Sequence, residues 1–149
     1  MLAEALVQAA HYIRSVILAV VALNRAYSPG FQPWLDRLPL EVALAVSADM
    51  AYLLEYGRDA ALPYVRHRVQ SSAHFPNMSE VRTESQAEGR RWVIRVLACF
   101  ASRDQVVAFC VAGDKATWEA RHPGEDWYEA HVPVADQVFN MMRKERGWQ

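Results

Sequence analysis

Between Arg91 and Phe100 the side chains alternate cleanly. Trp92, Ile94, Val96, Ala98 and Phe100 fall on one face, and Arg91, Val93, Arg95, Leu97 and Cys99 on the other. A period of two predicts a strand, here with two arginines sharing a face. Ser102-Arg103-Asp104-Gln105 predicts a hairpin turn, and the apolar run 106–111 returns as the partner strand that delivers Gly113-Asp114-Lys115. Upstream, 2–12 has helical spacing, whereas 16–21 is β-branched and continuously apolar, the pattern of a strand buried on both faces. One long helix through both segments is the alternative.

After the Ser28-Pro29-Gly30 break, Phe31, Trp34, Leu35 and Leu38 predict a short amphipathic helix ending near Pro39. Leu40, Ala43, Leu44, Ser47, Ala51 and Leu54 form the expected stripe of a second helix, closed by Gly57 as a left-handed C-cap. Residues 62–76 read as a loop, the most basic stretch before the sheet, and 78–83 as an extended segment. Beyond the meander, 118–126 reads as a polar loop and Trp127-Tyr128 as a short helical turn. Pro133 opens a last helix with Val134, Val138 and Met141 or Met142 inward.

The elements describe an α+β chain, and 149 residues suffice for one compact domain with a proper core. Apolar residues at 52% and charged residues at 22% exclude a disordered chain. A formal net charge of -1 excludes attachment to nucleic acid by bulk electrostatics, so any RNA contact is local. Cys99 and Cys110 lie in apolar strands without metal-ligand spacing, which points to buried, reduced thiols in a cytoplasmic setting. The apolar run 13–23 is interrupted by Arg14 and Ser15, lacks a basic leader and is shorter than the roughly 20 residues of a membrane helix, so no membrane attachment is expected. Neither a histidine pair with ligand spacing nor a glycine-rich phosphate loop occurs, and no metal or other cofactor is expected.

Only two lysines occur, Lys115 and Lys144, and Lys115 follows glycine at a strand end. Around it, six short words stand in an order that resembles one family. They are Trp34-Leu35-Asp36-Arg37-Leu38-Pro39, Asn77-Met78-Ser79-Glu80-Val81-Arg82, Arg95-Val96-Leu97-Ala98-Cys99-Phe100, Gly113-Asp114-Lys115, Trp127-Tyr128 and Val132-Pro133-Val134-Ala135-Asp136. The family is the RelE/HigB-type toxins of type II toxin-antitoxin systems, within the RelE/ParE superfamily and nearest its phage-derived HigB-like branch. The resemblance covers 31–142; the family's strand usually carries a lysine where this chain has Ser79.

The resemblance implies a RelE/ParE-like fold: two N-terminal helices packed on a twisted, mainly antiparallel sheet, with a C-terminal helix. Residues 1–30 would form an N-terminal extension containing the first strand. It implies a cytoplasmic toxin held by a cognate antitoxin, of helix-turn-helix type, that acts as an mRNA interferase on the ribosome. In that reaction a 2′-hydroxyl attacks its own adjacent phosphate, so the enzyme orients RNA, moves protons and neutralises added negative charge.

Arg82, Arg91 and Arg95 suit the gripping of phosphate, because guanidinium binds it bidentately and stays charged. Lys115 is a phosphate clamp, or a base if neighbouring arginines lower its pKa. Tyr128 stacks on a splayed base or orients the nucleophile; its plainer role is to seal the last helix on the sheet with Trp127. His74 is a candidate acid, and Arg66 and Arg68 candidate RNA contacts, against plainer lives as solvated loop residues. Catalytic candidates are thus Arg82, Arg95, Lys115, Tyr128 and His74, and RNA-binding candidates Arg66, Arg68 and Arg91. The alternatives are a non-nucleolytic, ParE-like toxin directed at gyrase and a degenerate toxin that only binds its antitoxin.

Overall fold

A computed structural model describes residues 2–21 and 23–148. The described chain runs α1 (Leu2–Val21), β1 (Asn24–Tyr27), α2 (Phe31–Asp36), α3 (Leu40–Tyr56), a 3-10 turn (Gly57–Asp59) and β2 (Val65–Arg66). It continues with β3 (Met78–Ala87), β4 (Arg90–Ala101), β5 (Val106–Asp114), α4 (Lys115–Arg121) and α5 (Trp127–Arg146). Five strands make one sheet in the order β1-β5-β4-β3-β2; β1 lies parallel to β5 and the other pairs are antiparallel. The chain is therefore α+β with a mixed, mainly antiparallel sheet. Among the described residues no helix is long and apolar enough to cross a membrane.

The alternation in β4 divides the interior into two cores. Ile94, Val96, Ala98 and Phe100 face α2 and α3, where they meet Phe31, Val46, Leu53 and Leu54. Leu97, Cys99 and Ala101 face α5, where they meet Trp127, Phe139 and Met142. Each fully enclosed Leu, Val or Phe side chain contributes about 1.5–3 kcal/mol relative to exposure. Cys99 and Cys110 are free, buried thiols in the second core. The hydrogen bond with Cys110, and then burial, push the Cys99 thiol far up, so it stays protonated and packs as a small apolar group.

Five local expectations are corrected. The expected strand at 16–21 is the C-terminal part of α1, while its expected burial on both faces lies outside the described residues. A short apolar run does not distinguish a buried strand from a helix, and with no breaker after 2–12 the helix propagates. The edge strand falls instead on Asn24–Tyr27.

In α3 the buried residues are Val42, Val46, Met50, Leu53 and Leu54, while Leu40 is 60% exposed. Apolar residues surround this helix almost completely, so its own pattern does not decide which face turns inward. Gly57 does close α3 at φ 57°, ψ −128°, and its N–H donates to the Leu53 carbonyl. This is mirror-image extended backbone, which glycine reaches without strain, and not the left-handed helical region.

The expected loop 118–126 contains most of α4, which starts directly at the end of β5 and is laced by a Lys115–Glu119 pair one turn apart. Finally, α5 starts at Trp127 and not at Pro133. Asp126 caps it by accepting from the N–H groups of Tyr128 and Glu129. Pro133 sits inside the helix, where the carbonyl it leaves without a donor belongs to the exposed Glu129. Consequently Val132, Ala135, Phe139 and Met142 turn inward, whereas Val134 and Met141 are exposed and Val138 is half-buried.

Candidate functional site

On β3, the period of two puts Glu80, Arg82 and Glu84 on the face that looks toward α5. The register sets Arg82 opposite Arg95 on β4, and Glu80 opposite Arg66 on β2. Two arginines directly opposite one another repel, so this face is stable only with carboxylates between them. Glu80, with its side chain fully enclosed, lies 2.8 Å from Arg82, 3.2 Å from Arg66 and 3.8 Å from Arg95. Glu84 reaches Arg91 at 2.6 Å and Arg95 at 3.7 Å. The Arg91 hydrogen bond holds the Glu84 carboxyl below its ordinary range. Arg95 is itself only 4% exposed, so its charge is neutralised by carboxylates more than by water.

The register between β4 and β5 shifts at Leu97/Ala98 and then places Gly113 opposite Arg95. A Cβ at Gly113 would lie 3.2 Å from the Trp127 indole nitrogen. Glycine here lets the first turn of α5 lie directly on the sheet, and that turn carries Tyr128 over the charged face. Arg95 Nε donates to the Tyr128 hydroxyl oxygen at 3.3 Å. Burial first, and then the charge and hydrogen bonding of Glu80, raise the Tyr128 phenol above its ordinary value. At neutral pH it is a proton donor, not a base.

Lys115 opens α4 beside this turn. Its Nζ lies 2.9 Å from Glu119 Oε1 and 5.9 Å from the Tyr128 ring centre, and the Arg66 guanidinium lies 5.3 Å from the same ring. Glu119 also accepts from the Trp127 N–H at 3.2 Å, so one carboxylate ties Lys115 to the start of α5. The Lys115 bond, and then the Trp127 N–H, hold the Glu119 carboxyl low. A cleft of about 460 Å³ opens beside Tyr128, lined among others by Arg66, Arg68, Gln70 and Glu129.

Of the residues expected from the sequence, Arg66, Arg82, Arg95, Lys115 and Tyr128 come together. Arg91 joins at the solvent end through Glu84, and Arg68, at φ 59°, stacks over Phe75 at 4.8 Å on the cleft's rim. His74 does not join. Its Nε2 meets Asn140 Oδ1 at 2.7 Å and its ring packs 4.8 Å from Phe139. Asn140 lies about 18 Å along the helix axis from Tyr128 at 1.5 Å per residue. The loop before β3 is pinned there because buried Asp136 accepts from Ser72 Oγ and from the Ala73 N–H.

Three carboxylates join the site without having been expected as site residues: Glu80, Glu84 and Glu119. The alternation Glu80, Arg82, Glu84 and the four-residue step from Lys115 to Glu119 were the available signals. Ser79, where the toxins that the sequence resembles usually carry a lysine, is buried on the opposite face with its hydroxyl against His67 Nδ1 at 2.6 Å. That position does not face Tyr128.

Five cations, Arg66, Arg82, Arg91, Arg95 and Lys115, thus surround three carboxylates, leaving an excess of two positive charges around a phenol that donates a proton. Such an arrangement can hold a phosphodiester, neutralise charge that develops on it and deliver a proton to it. No group of three metal-ligating side chains occurs among the described residues. Neither a protein-family model, nor a curated protein, nor a solved structure matches the chain.

Proposed function

We propose that this chain is a toxin of the RelE/HigB type: a ribosome-dependent endoribonuclease that cuts mRNA, inhibits translation and is held inactive by a cognate antitoxin. The observation that carries this reading is the convergence of Arg66, Arg82, Arg95 and Lys115 around the Tyr128 phenol. In this reading Arg82 and Lys115 clamp the scissile phosphate and offset the charge that builds on it. As the 2′-oxygen bonds to phosphorus and the bond to the 5′-oxygen breaks, the half-buried Tyr128 hydroxyl gives its proton to the leaving 5′-oxygen, while the proton of the 2′-hydroxyl leaves to water. Arg95, which touches Tyr128 and not solvent, is a positioning residue: it holds the phenol in line and keeps the buried Glu80 paired. Lys115 acts as a clamp, with its Nζ positioned by the ion pair to Glu119 at 2.9 Å.

Induced expression followed by primer extension on translated messages tests the reading. Wild-type chain arrests growth and leaves cuts in register with codons; Lys115→Ala and Tyr128→Phe reduce those cuts at least about tenfold, the usual effect of losing one electrostatic or proton-transfer group. One observation favours a second reading, the non-nucleolytic toxin of the same fold: Glu80, Glu84 and Glu119 neutralise most of the cluster. Growth arrest with intact messages selects that reading. Absence of any growth phenotype selects a chain that only binds its antitoxin.

A further inference from the structure

A second opening lies on the other side of Arg82, at the β2 edge of the sheet. It has a volume of about 440 Å³ and is lined by Asp49, Leu62, Pro63, Tyr64, Arg82 and Glu84. Its rim is unusual for a surface, since Leu62 is 66% and Tyr64 49% exposed. Tyr52 stands edge-on to the Tyr64 ring at 5.7 Å and tilted against Tyr56 at 5.1 Å, and Tyr56 is 51% exposed as well. These rings form a braced aromatic shelf that leaves apolar surface in water, the mark of a surface that meets a ligand.

Arg82 connects this shelf to the charged cluster. Its guanidinium bonds Glu80 at 2.8 Å inside the cluster while its side chain lines the second opening, and its backbone N–H donates to the Tyr64 carbonyl at 2.7 Å. A phosphate held at Arg82 therefore has an aromatic ring beside it. A cationic group next to exposed tyrosines is the arrangement that binds single-stranded nucleic acid, with charge tracking the backbone and rings stacking on bases. The other polar groups of the opening are already partnered, Asp49 by Thr83 and Glu84 by Arg91 and Arg95, so stacking and not a base edge sets any preference.

We propose that this opening is a stacking subsite for one unpaired base of single-stranded RNA, with Tyr64 as its platform and Arg82 holding the adjoining phosphate. The proposal rests on the RNA-cleaving reading of the neighbouring cluster and extends its substrate by one nucleotide.

Binding of fluorescently labelled oligoadenylate and oligouridylate hexamers, followed by anisotropy at low salt, tests it. Tyr64→Ala weakens oligoadenylate binding roughly tenfold while Tyr64→Phe stays within about twofold of wild type, because stacking needs the ring and not the hydroxyl. Wild type prefers oligoadenylate to oligouridylate because a purine stacks more strongly than a pyrimidine, and Tyr64→Ala narrows that preference. Oligoadenylate binding by Tyr64→Ala equal to wild type overturns the subsite, leaves the RNA-cleaving reading standing and assigns the aromatic rim to a protein partner. Wild-type protein that binds neither hexamer overturns the subsite and leaves the ribosome-dependent reading to the cleavage assay. Binding lost in Tyr64→Ala but untouched in Lys115→Ala leaves the subsite standing and overturns Lys115 as a phosphate clamp.

Discussion

β3 and β4 present the same backbone to two very different faces. Toward α3, Val81, Ile94, Val96 and Ala98 are buried among Val46, Leu53 and Leu54, and polar groups enter as matched pairs such as Thr83 with Asp49 and Ser79 with His67. Toward α5, the face splits. Its far half, under Phe139 and Met142, is apolar; its near half, under Tyr128, holds Glu80, Arg82, Arg95 and Glu84. Both faces are packed, but for different reasons. The first gains from removing apolar area from water. The second holds buried charge that only its own partners make tolerable, and such arrangements contribute little net stability while fixing groups in place. The charged half therefore calls for a chemical explanation, whereas the apolar face needs none.

The comparison is broken most severely by Glu80→Gln. It removes the charge that Arg66, Arg82 and Arg95 share, and leaving Arg95 buried without a full partner costs about 3–5 kcal/mol, read as a lower denaturant midpoint. A matched cut on the other face, Leu53→Ala, costs about 2–5 kcal/mol by cavity formation; if the chain cuts RNA as proposed, cleavage per folded molecule should stay at the wild-type level. Equal losses of cleavage in the two variants, per folded molecule, would erase the distinction between the faces.

Gly113→Ala sharpens it further. The added methyl group meets the Trp127 indole at 3.2 Å and displaces the turn carrying Tyr128. The expected cost is about 1–3 kcal/mol of overpacking, with a larger proportional fall in cleavage than in stability. Unchanged cleavage would mean that α5 does not need to lie so close to the sheet.

The smallest effect is acid sensitivity outside the cluster. Desolvation raises the Asp114 carboxyl, but hydrogen bonds from Arg90, Thr117 and the Val93 N–H outweigh it and hold the group below its ordinary 3.8. A carboxyl lowered on folding stabilises the native state above its unfolded pKa and loses that contribution as pH falls through the lower folded value. Stability should thus be flat above about pH 5 and decline below about pH 4. Asp114→Asn should lower the plateau and flatten this limb in thermal melts taken across pH; an unaltered slope would place the acid sensitivity elsewhere.

Much of this architecture was legible in the sequence where one periodicity dominated. The β4 alternation correctly assigned each side chain to its core, and the Ser102–Gln105 turn, the α2 start and the Gly57 stop were read from local chemistry. Legibility failed where two readings were locally equal. Residues 16–21 are apolar at every position, so strand and helix patterns coincide. α3 is apolar nearly all round, which hid the buried face. The start of α5 was displaced because Pro133 is a conspicuous signal, while the Asp126 cap is a single carboxylate.

The cations of the candidate site were found from scarcity and pattern, but their arrangement depends on register. Nothing local to Arg82 says that Arg95 lies opposite it, and hence that Glu80 must sit between them. His74 shows the converse. Its composition suits acid–base work, and only the anchoring of its loop to Asp136 and Asn140 shows that it lies far from Tyr128.

The most direct measurement uses purified ribosomes carrying a defined message, mixed with purified chain, with cleavage of the message followed over time. The account predicts cutting that requires the ribosome and falls at least about tenfold in Lys115→Ala and in Tyr128→Phe, both folded like wild type. A message left intact by the wild-type chain, or cut equally by both variants, would contradict it.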